Sequence, residues 1–243
     1  MSRQLSARTE PFDSYWQAPK NVERGYTAFI QYYRANFLHH LPENREARVL
    51  VVSCGPGYFV QLLKNEGYTN VEGIDSDPDK IRFATERQLN CRVAEAFPFF
   101  ESTDEQWDLI VCEQELNHLT KDEMVEFLRL VKPRLSAGGR LVVYGLNGAN
   151  PITGAEALSQ NFDHFNTFTE YSLKQILEYC GYDEIRVLPL KLYVFYKNPL
   201  NYVGLAITTI LETTFRILFK LYGKDAKIFT KKIAAVCRAG SGD

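Results

Sequence analysis

The chain is poor in the features that would take it out of ordinary globular chemistry. Basic residues are not in excess: 28 Lys and Arg stand against 30 Asp and Glu, a formal net charge of -2. The overall electrostatic footprint of a nucleic-acid binder is therefore missing. The five cysteines, at 54, 91, 112, 180 and 237, are scattered and odd in number, and none forms a C-x-x-C pair. That argues against a disulfide framework or a zinc ribbon and fits reduced thiols in a cytoplasm. No run of about 18 uncharged apolar residues occurs, so a membrane-spanning helix is not expected. Met1-Ser2-Arg3-Gln4 leads into no apolar stretch, so no secretory signal is expected and the expected location is cytoplasmic. Internal repeats and low-complexity tracts are lacking as well. What remains is 243 residues, 45% hydrophobic and 24% charged, the balance of a globular protein. A chain of this size buries roughly 70–75% of its unfolded surface and needs no staple.

The apolar pattern alternates between two periods. Residues 1–20 read as an irregular lead-in with Phe12, Tyr15 and Trp16. Tyr15 and Trp16 suit a hydrophobic anchor or a cover over a ligand. Val22, Tyr26, Phe29, Ile30, Tyr33, Phe37 and Leu41 then fall at helical spacing, closed by Pro42. Short strand candidates come next, at 49–52 (a β-branched run), 71–74, 91–94, 108–112 and 140–144. Helical stretches separate them: 59–65, one opened by Asp77-Pro78, and one opened by the capping box Thr120-Lys121-Asp122-Glu123. This strand–helix alternation predicts a parallel, doubly wound α/β sheet covered on both faces. After residue 146 a loop runs to Phe168. The helix 171–179 ends at Gly181, a strand spans 185–195, a long helix 200–221, and a last strand 232–238. We read one domain over 1–243: an N-terminal helical arm to residue 45, a core at 46–146, and acceptor-side elements at 147–243 with a helical insertion near 200–222.

The most informative stretch is VLVVSCGPGYF at 49–59 followed by VEGIDSDPDKI at 71–81. A strand ending in a glycine turn lets a ligand approach the backbone, and the following helix points its amides at that ligand. A second strand ending in Asp75 places a carboxylate at the same crevice, where it suits the vicinal hydroxyls of a ribose. The bland reading, a turn that merely packs strand on helix, is disfavoured by the spacing to Asp75.

On these residues the sequence resembles the class I S-adenosylmethionine-dependent methyltransferases. Cys54-Gly55-Pro56-Gly57 matches the cofactor loop, and Gly73-Ile74-Asp75 the acidic end of the second strand. Trp107-Asp108-Leu109-Ile110-Val111 matches the fourth strand. Leu116-Asn117-His118-Leu119 is similar to the family's Leu-Glu-His-Leu stretch, and residues 132–135 and 137–141 match the approach to the fifth strand. The resemblance covers about residues 45–145. It implies a Rossmann-like, seven-stranded sheet whose last strand is antiparallel, and S-adenosylmethionine as cofactor. It implies a cofactor site at Cys54, Gly55, Gly57, Asp75, Ser76, Ala94, Glu95 and Glu113. The sequence departs from the family pattern at Val51, where an acid that helps hold the methionine ammonium is usual, and at Ser53, usually glycine. Asn117 stands in place of a usual Glu.

A narrower resemblance lies at 161–182, NFDHFNTFTEYSLKQILEYCGY. It is similar to a segment of bacterial methyltransferases linked to surface-polysaccharide biosynthesis, matching at His164, Phe168-Thr169 and Ser172-Leu173. It implies a hydroxyl of a sugar, nucleotide-sugar or glycan intermediate as acceptor. Another small metabolite methylated at oxygen or nitrogen, and a catalytically silent binding subunit, are the competing readings. Methylation at a hydroxyl calls for a base near neutral pKa, and histidine suits it. Of the four histidines, His39 and His40 read as a helix end. His118 and His164 lie in loops beyond strand ends and are the candidate bases, with His164 expected over His118. The histidine spacing gives no metal-ligand pattern, and no metal is expected. Helix 200–221 carries Glu212, Arg216 and Lys220 on one stripe, with Lys224, Lys227, Lys231 and Lys232 after it. Packing on the domain or in a homodimer is expected of it, with a peripheral membrane contact as the alternative.

Overall fold

The computed structural model describes residues 19–159, 161, 163–191 and 198–240. Tyr15 and Trp16 lie outside them. The elements are α1 (Pro19–Phe37), β1 (Val49–Val52), α2 (Tyr58–Asn65), β2 (Val71–Asp75), α3 (Pro78–Glu86), β3 (Cys91–Val93), α4 (Ala96–Ser102) and β4 (Trp107–Glu113), then α5 (Lys121–Val131), β5 (Leu135–Leu146), α6 (Gly154–Ser159), α7 (Glu170–Tyr179), β6 (Tyr182–Leu190), α8 (Leu200–Leu221) and β7 (Lys232–Ala239). The seven strands form one sheet in the order β3-β2-β1-β4-β5-β7-β6. β1 pairs in parallel with β2 and β4, and β4 with β5. β7 runs antiparallel to both of its neighbours. This is the expected doubly wound sheet with an antiparallel last strand.

Local chemistry explains the elements. Every residue of β1 is buried, as a strand covered on both faces requires. Asp77 caps α3 by accepting from the amides of Asp79 (2.9 Å) and Lys80 (3.3 Å). Thr120 and Glu123 make the reciprocal capping box of α5. On one face of the sheet, α1 lays Tyr33 and Phe37 against Phe59 of α2 and Tyr144 of β5; the Tyr33–Phe59 rings are 4.8 Å apart and Phe37–Tyr144 5.4 Å. On the other face, Phe97, Phe99 and Phe100 of α4 are buried against Trp107 and Phe127.

Several expectations are corrected. α1 ends at Phe37, not Leu41, and a single tight turn, Leu38–His40, completes the approach to Pro42. β5 begins at Leu135, not at Arg140, so Gly138-Gly139 lies inside the strand. A Cβ at Gly139 would sit 2.9 Å from the carbonyls of Ser136 and Trp107, and the ladder shifts register there. Glycine thus permits the irregular start of β5. The loop expected at 147–168 contains α6. β6 begins at Tyr182, and its expected end at residue 195 lies outside the described residues. α8 packs on its own domain along one side only, and none of its residues is fully buried. By length and composition alone α8 would suffice to cross a membrane, although the chain has no run of about 18 uncharged apolar residues. Its three charges are spread along one stripe, so no uncharged run reveals it.

Candidate active site

The strand order reverses between β1 and β4, and α/β folds place ligands at that switch point, beyond the carboxyl ends of the strands. The chain there is Ser53–Gly57 after β1 and Gln114–His118 after β4. Gly55 and Gly57 have φ of +53° and +82°, values that suit glycine. A Cβ at Gly55 would meet nothing within 4 Å, so the turn faces open space, whereas one at Gly57 would approach Leu89 to 2.8 Å. Ser53 also has a positive φ, 56°, which is why glycine is usual there. Its hydroxyl donates to the Glu115 carboxylate, a contact that glycine cannot make. Val51 is wholly buried in the sheet.

Asp75 ends β2, buried, and braces the turn. Oδ2 accepts from the Gly55 amide at 2.8 Å and Oδ1 from the Asp77 amide at 2.9 Å. Ser76 is exposed beside it. The Ala94 amide bonds the Asp75 carbonyl at 3.0 Å, which leaves the exposed Glu95 carboxylate as the polar side chain at the end of β3. Cys54 is buried. A hydrogen bond with Cys91, then burial, raises its thiol well above the ordinary range, so Cys54 packs as a thiol and is not nucleophilic.

Glu113 and Glu115 add two acids to this end of the sheet. Tyr33 and Tyr144 both donate to Glu113 Oε2, and Oε1 is buried without a hydrogen-bond partner among the described residues. Burial pushes the Glu113 carboxyl up to about 7, opposed by the two tyrosine hydrogen bonds and Lys232. Burial raises Glu115 as well, against the Ser53 hydrogen bond, and Asp75 adds to both shifts. An acid-lined crevice with an open glycine turn and a carboxylate beside it fits S-adenosylmethionine, which carries a ribose, an ammonium and a sulfonium. Asp75 would hold the ribose, and Gly55 and Gly57 would admit the methionine portion.

The raised Glu113 carboxyl has a measurable consequence. The folded, ligand-free protein holds this proton more tightly than the unfolded chain does. Its contribution to stability is therefore complete below the ordinary carboxylate range and is lost as pH rises through about 7. Thermal midpoints measured between about pH 5 and pH 8 should fall more steeply for the wild type than for Glu113→Gln. Parallel pH dependences would remove Glu113 from this role.

The second cluster joins distant segments. Asn117 is buried and acts as a clamp. Its Nδ2 donates to the Asn166 carbonyl at 2.6 Å, its Oδ1 accepts from the Leu146 amide at 3.2 Å, and its carbonyl accepts from the Phe165 amide at 2.9 Å. This pins residues 163–166 beside His118. His118 Nδ1 lies 3.1 Å from Asp163 Oδ2, and the His118 and His164 rings meet edge-on with centroids 4.9 Å apart. His164 donates from Nδ1 to the Ala157 carbonyl at 2.8 Å, and its Nε2 faces Asn161 Nδ2 at 3.1 Å. Burial pulls the His118 pKa below the ordinary histidine value, partly offset by Asp163.

The reading that the histidines give no metal-ligand pattern is corrected, because ligand atoms of His118, Asp163 and His164 all lie within 4.8 Å of one another. Spacing could not show this grouping: 45 residues separate His118 from Asp163. Glu115, Asp163, Tyr33 and Tyr144 were not among the expected site residues. The residues behind the narrower resemblance have plain structural duties. Thr169 and Ser172 cap α7, and Phe168 and Leu173 are buried.

A seven-stranded doubly wound sheet with a glycine turn after β1 and an acid after β2 defines the nucleotide-cofactor class of α/β folds. Within it, residues 24–187 match the model of the methyltransferase domain family, and the chain belongs to that family. No curated protein matches the sequence. Among solved structures, a SAM-dependent methyltransferase from Archaeoglobus fulgidus is similar at 20% identity and TM-score 0.64, over 89% of this chain and 97% of that one. A possible histamine N-methyltransferase from Thermotoga maritima is similar at 14% identity and TM-score 0.63, over 94% and 100%. Phosphoethanolamine N-methyltransferase 2 of Haemonchus contortus, in complex with S-adenosyl-L-methionine, is similar at 15% identity and TM-score 0.59, over 96% of this chain and 61% of that one.

Proposed function

We propose that the protein transfers the methyl group of S-adenosylmethionine to a hydroxyl of a sugar, nucleotide-sugar or glycan intermediate. In this reading His118 is the base and Asp163 the positioning residue. The observation behind it is the His118 Nδ1–Asp163 Oδ2 contact of 3.1 Å beyond the carboxyl end of β4. A carboxylate on Nδ1–H fixes the tautomer and leaves Nε2 as the basic nitrogen. His164, the base expected from the sequence, has a hydrogen-bond partner at each ring nitrogen. It therefore supports the wall of the site.

When bound, S-adenosylmethionine supplies an activated methyl group together with its own leaving group. The chain aligns the acceptor oxygen and removes its proton to His118 Nε2 as the new oxygen–carbon bond forms. The sugar acceptor rests on the resemblance at 161–182 and on the half-exposed Phe165 ring beside His164, a surface for the apolar face of a sugar. Purified protein incubated with S-adenosylmethionine and a panel of nucleotide sugars, glycans, simple alcohols and amines tests the reading. It expects S-adenosylhomocysteine and an O-methylated product with a sugar hydroxyl. Turnover with amines alone would sink the hydroxyl reading, and cofactor binding without any turnover would leave a silent binding subunit.

A further inference from the structure

Helix α8 presents an apolar face that none of the described residues covers. At 3.6 residues per turn, Val203, Ile207, Ile210, Ile217, Leu218 and Leu221 fall within an arc of about 100°, and all six are among the exposed large hydrophobics. The opposite side holds the helix to the domain. Phe219 meets Phe229 with ring centroids 4.6 Å apart, and Arg216 Nε donates to the Lys227 carbonyl at 2.7 Å. The apolar face thus points away from the fold. An exposed apolar surface of this extent marks an interaction site.

We propose that this face seats the protein on an anionic lipid surface, with α8 lying in the interface. Charge decides for lipid over a second copy. Residues 200–232 carry six basic residues against Glu212 and Asp225, in a chain of net charge -2. Two such segments brought together repel, whereas anionic headgroups attract both. Lys220 and Lys224 are exposed at or just past the end of the helix, Lys231 is exposed just ahead of β7, and Tyr222 lies 84% exposed at the helix end, where an amphipathic ring meets headgroups. The helix also tolerates lipid. The hydroxyls of Thr208, Thr209, Thr213 and Thr214 all donate to carbonyls of the preceding turn, so they bring no unsatisfied donor into the interface.

Topology makes α8 a surface helix and not a span. β6 and β7 pair side by side, Leu190 opposite Lys232, so both ends of the insertion return to one sheet edge. A spanning α8 would put Leu200 about 33 Å from Leu221. One of its two connections to the sheet would then have to cross the hydrocarbon as non-helical backbone, which an apolar medium does not accept.

Flotation of the full chain with vesicles tests the proposal. The wild type should float with phosphatidylcholine vesicles containing phosphatidylglycerol, less with pure phosphatidylcholine, and less at high salt. Ile207→Asp with Ile217→Asp should abolish flotation. Lys220→Gln, Lys224→Gln and Lys231→Gln together should weaken it about tenfold or more. All variants should keep the wild-type circular dichroism and S-adenosylhomocysteine affinity. Three results would overturn the proposal: no flotation of the wild type at low salt, flotation indifferent to these substitutions, or a dimer in sedimentation equilibrium that Ile207→Asp with Ile217→Asp disrupts.

Discussion

Replacing His118 by Gln should lower turnover by about a hundredfold or more and leave S-adenosylhomocysteine affinity nearly unchanged. A neutral hydroxyl is a poor nucleophile until its proton is shared, and a positioned base is typically worth 10²–10⁴-fold. Gln keeps the size and a donor near Asp163 but has no basic nitrogen. Asp163→Asn should lower turnover as well, because it frees the His118 ring to rotate and removes the charge that offsets the burial of that ring. The pH profile separates a base from a mere wall. Burial lowers the His118 pKa, so wild-type kcat/KM should rise with pH along a limb centred below the ordinary histidine value of about 6.5, then reach a plateau. That limb should move lower in Asp163→Asn and vanish in His118→Gln. His164→Gln should retain the limb. Near-normal turnover by His118→Gln across roughly pH 6–9 would refute the assignment, and loss of the limb in His164→Gln alone would move the base to His164. Loss of turnover on chelation, restored by a divalent cation, would instead make His118, Asp163 and His164 a metal site. If both histidine variants stayed active without metal, the acceptor would be an amine or an ionised oxyanion.

The sheet was legible because its signals are local. The run Val49–Val52, the Asp77-Pro78 start and the Thr120–Glu123 box each state their structure within a few residues. The antiparallel last strand came from the resemblance, since no period of hydrophobicity reports the direction of a strand. Long-range pairing hid the acceptor side. Asp163 is not among the matches of the narrower resemblance, yet the Asn117 clamp turns it into the partner of His118. Asn117 itself reads as a missing Glu, and only the fold shows its amide joining β5 to the 163–166 segment.

The same limit applied to charge. Ser53 reads as a lost glycine, and only its left-handed backbone beside Glu115 shows an acid held at the cofactor end. Tyr33 and Tyr144 carry helical and strand periodicity and read as core. The fold brings both hydroxyls to one carboxylate. Helix α8 fails differently: its length and stripe were visible, but whether anything covered the stripe depends on where β6 and β7 leave it.

Asp75→Ala should weaken S-adenosylhomocysteine binding about tenfold or more, since hydrogen bonds to a charged group contribute roughly 1.5–3 kcal/mol. A carboxylate offers about four lone-pair sites. Two already accept the Gly55 and Asp77 amides, and the others would receive the ribose hydroxyls. The substitution therefore removes a ligand contact and a brace of the glycine turn together. Two comparisons tell these apart. Asp75→Asn keeps an acceptor for one backbone amide but loses the charge, so it should fall between wild type and Asp75→Ala. A 2′-deoxy analogue of S-adenosylhomocysteine should bind the wild type more weakly than the parent nucleoside does, and Asp75→Ala should bind the two alike. Calorimetry on variants with wild-type circular dichroism reads all three. An unchanged affinity in folded Asp75→Ala would take Asp75 out of the site. An equal penalty for the deoxy analogue in wild type and Asp75→Ala would leave the carboxylate only as the brace of the turn, with the ribose held elsewhere along the β2–β3 edge.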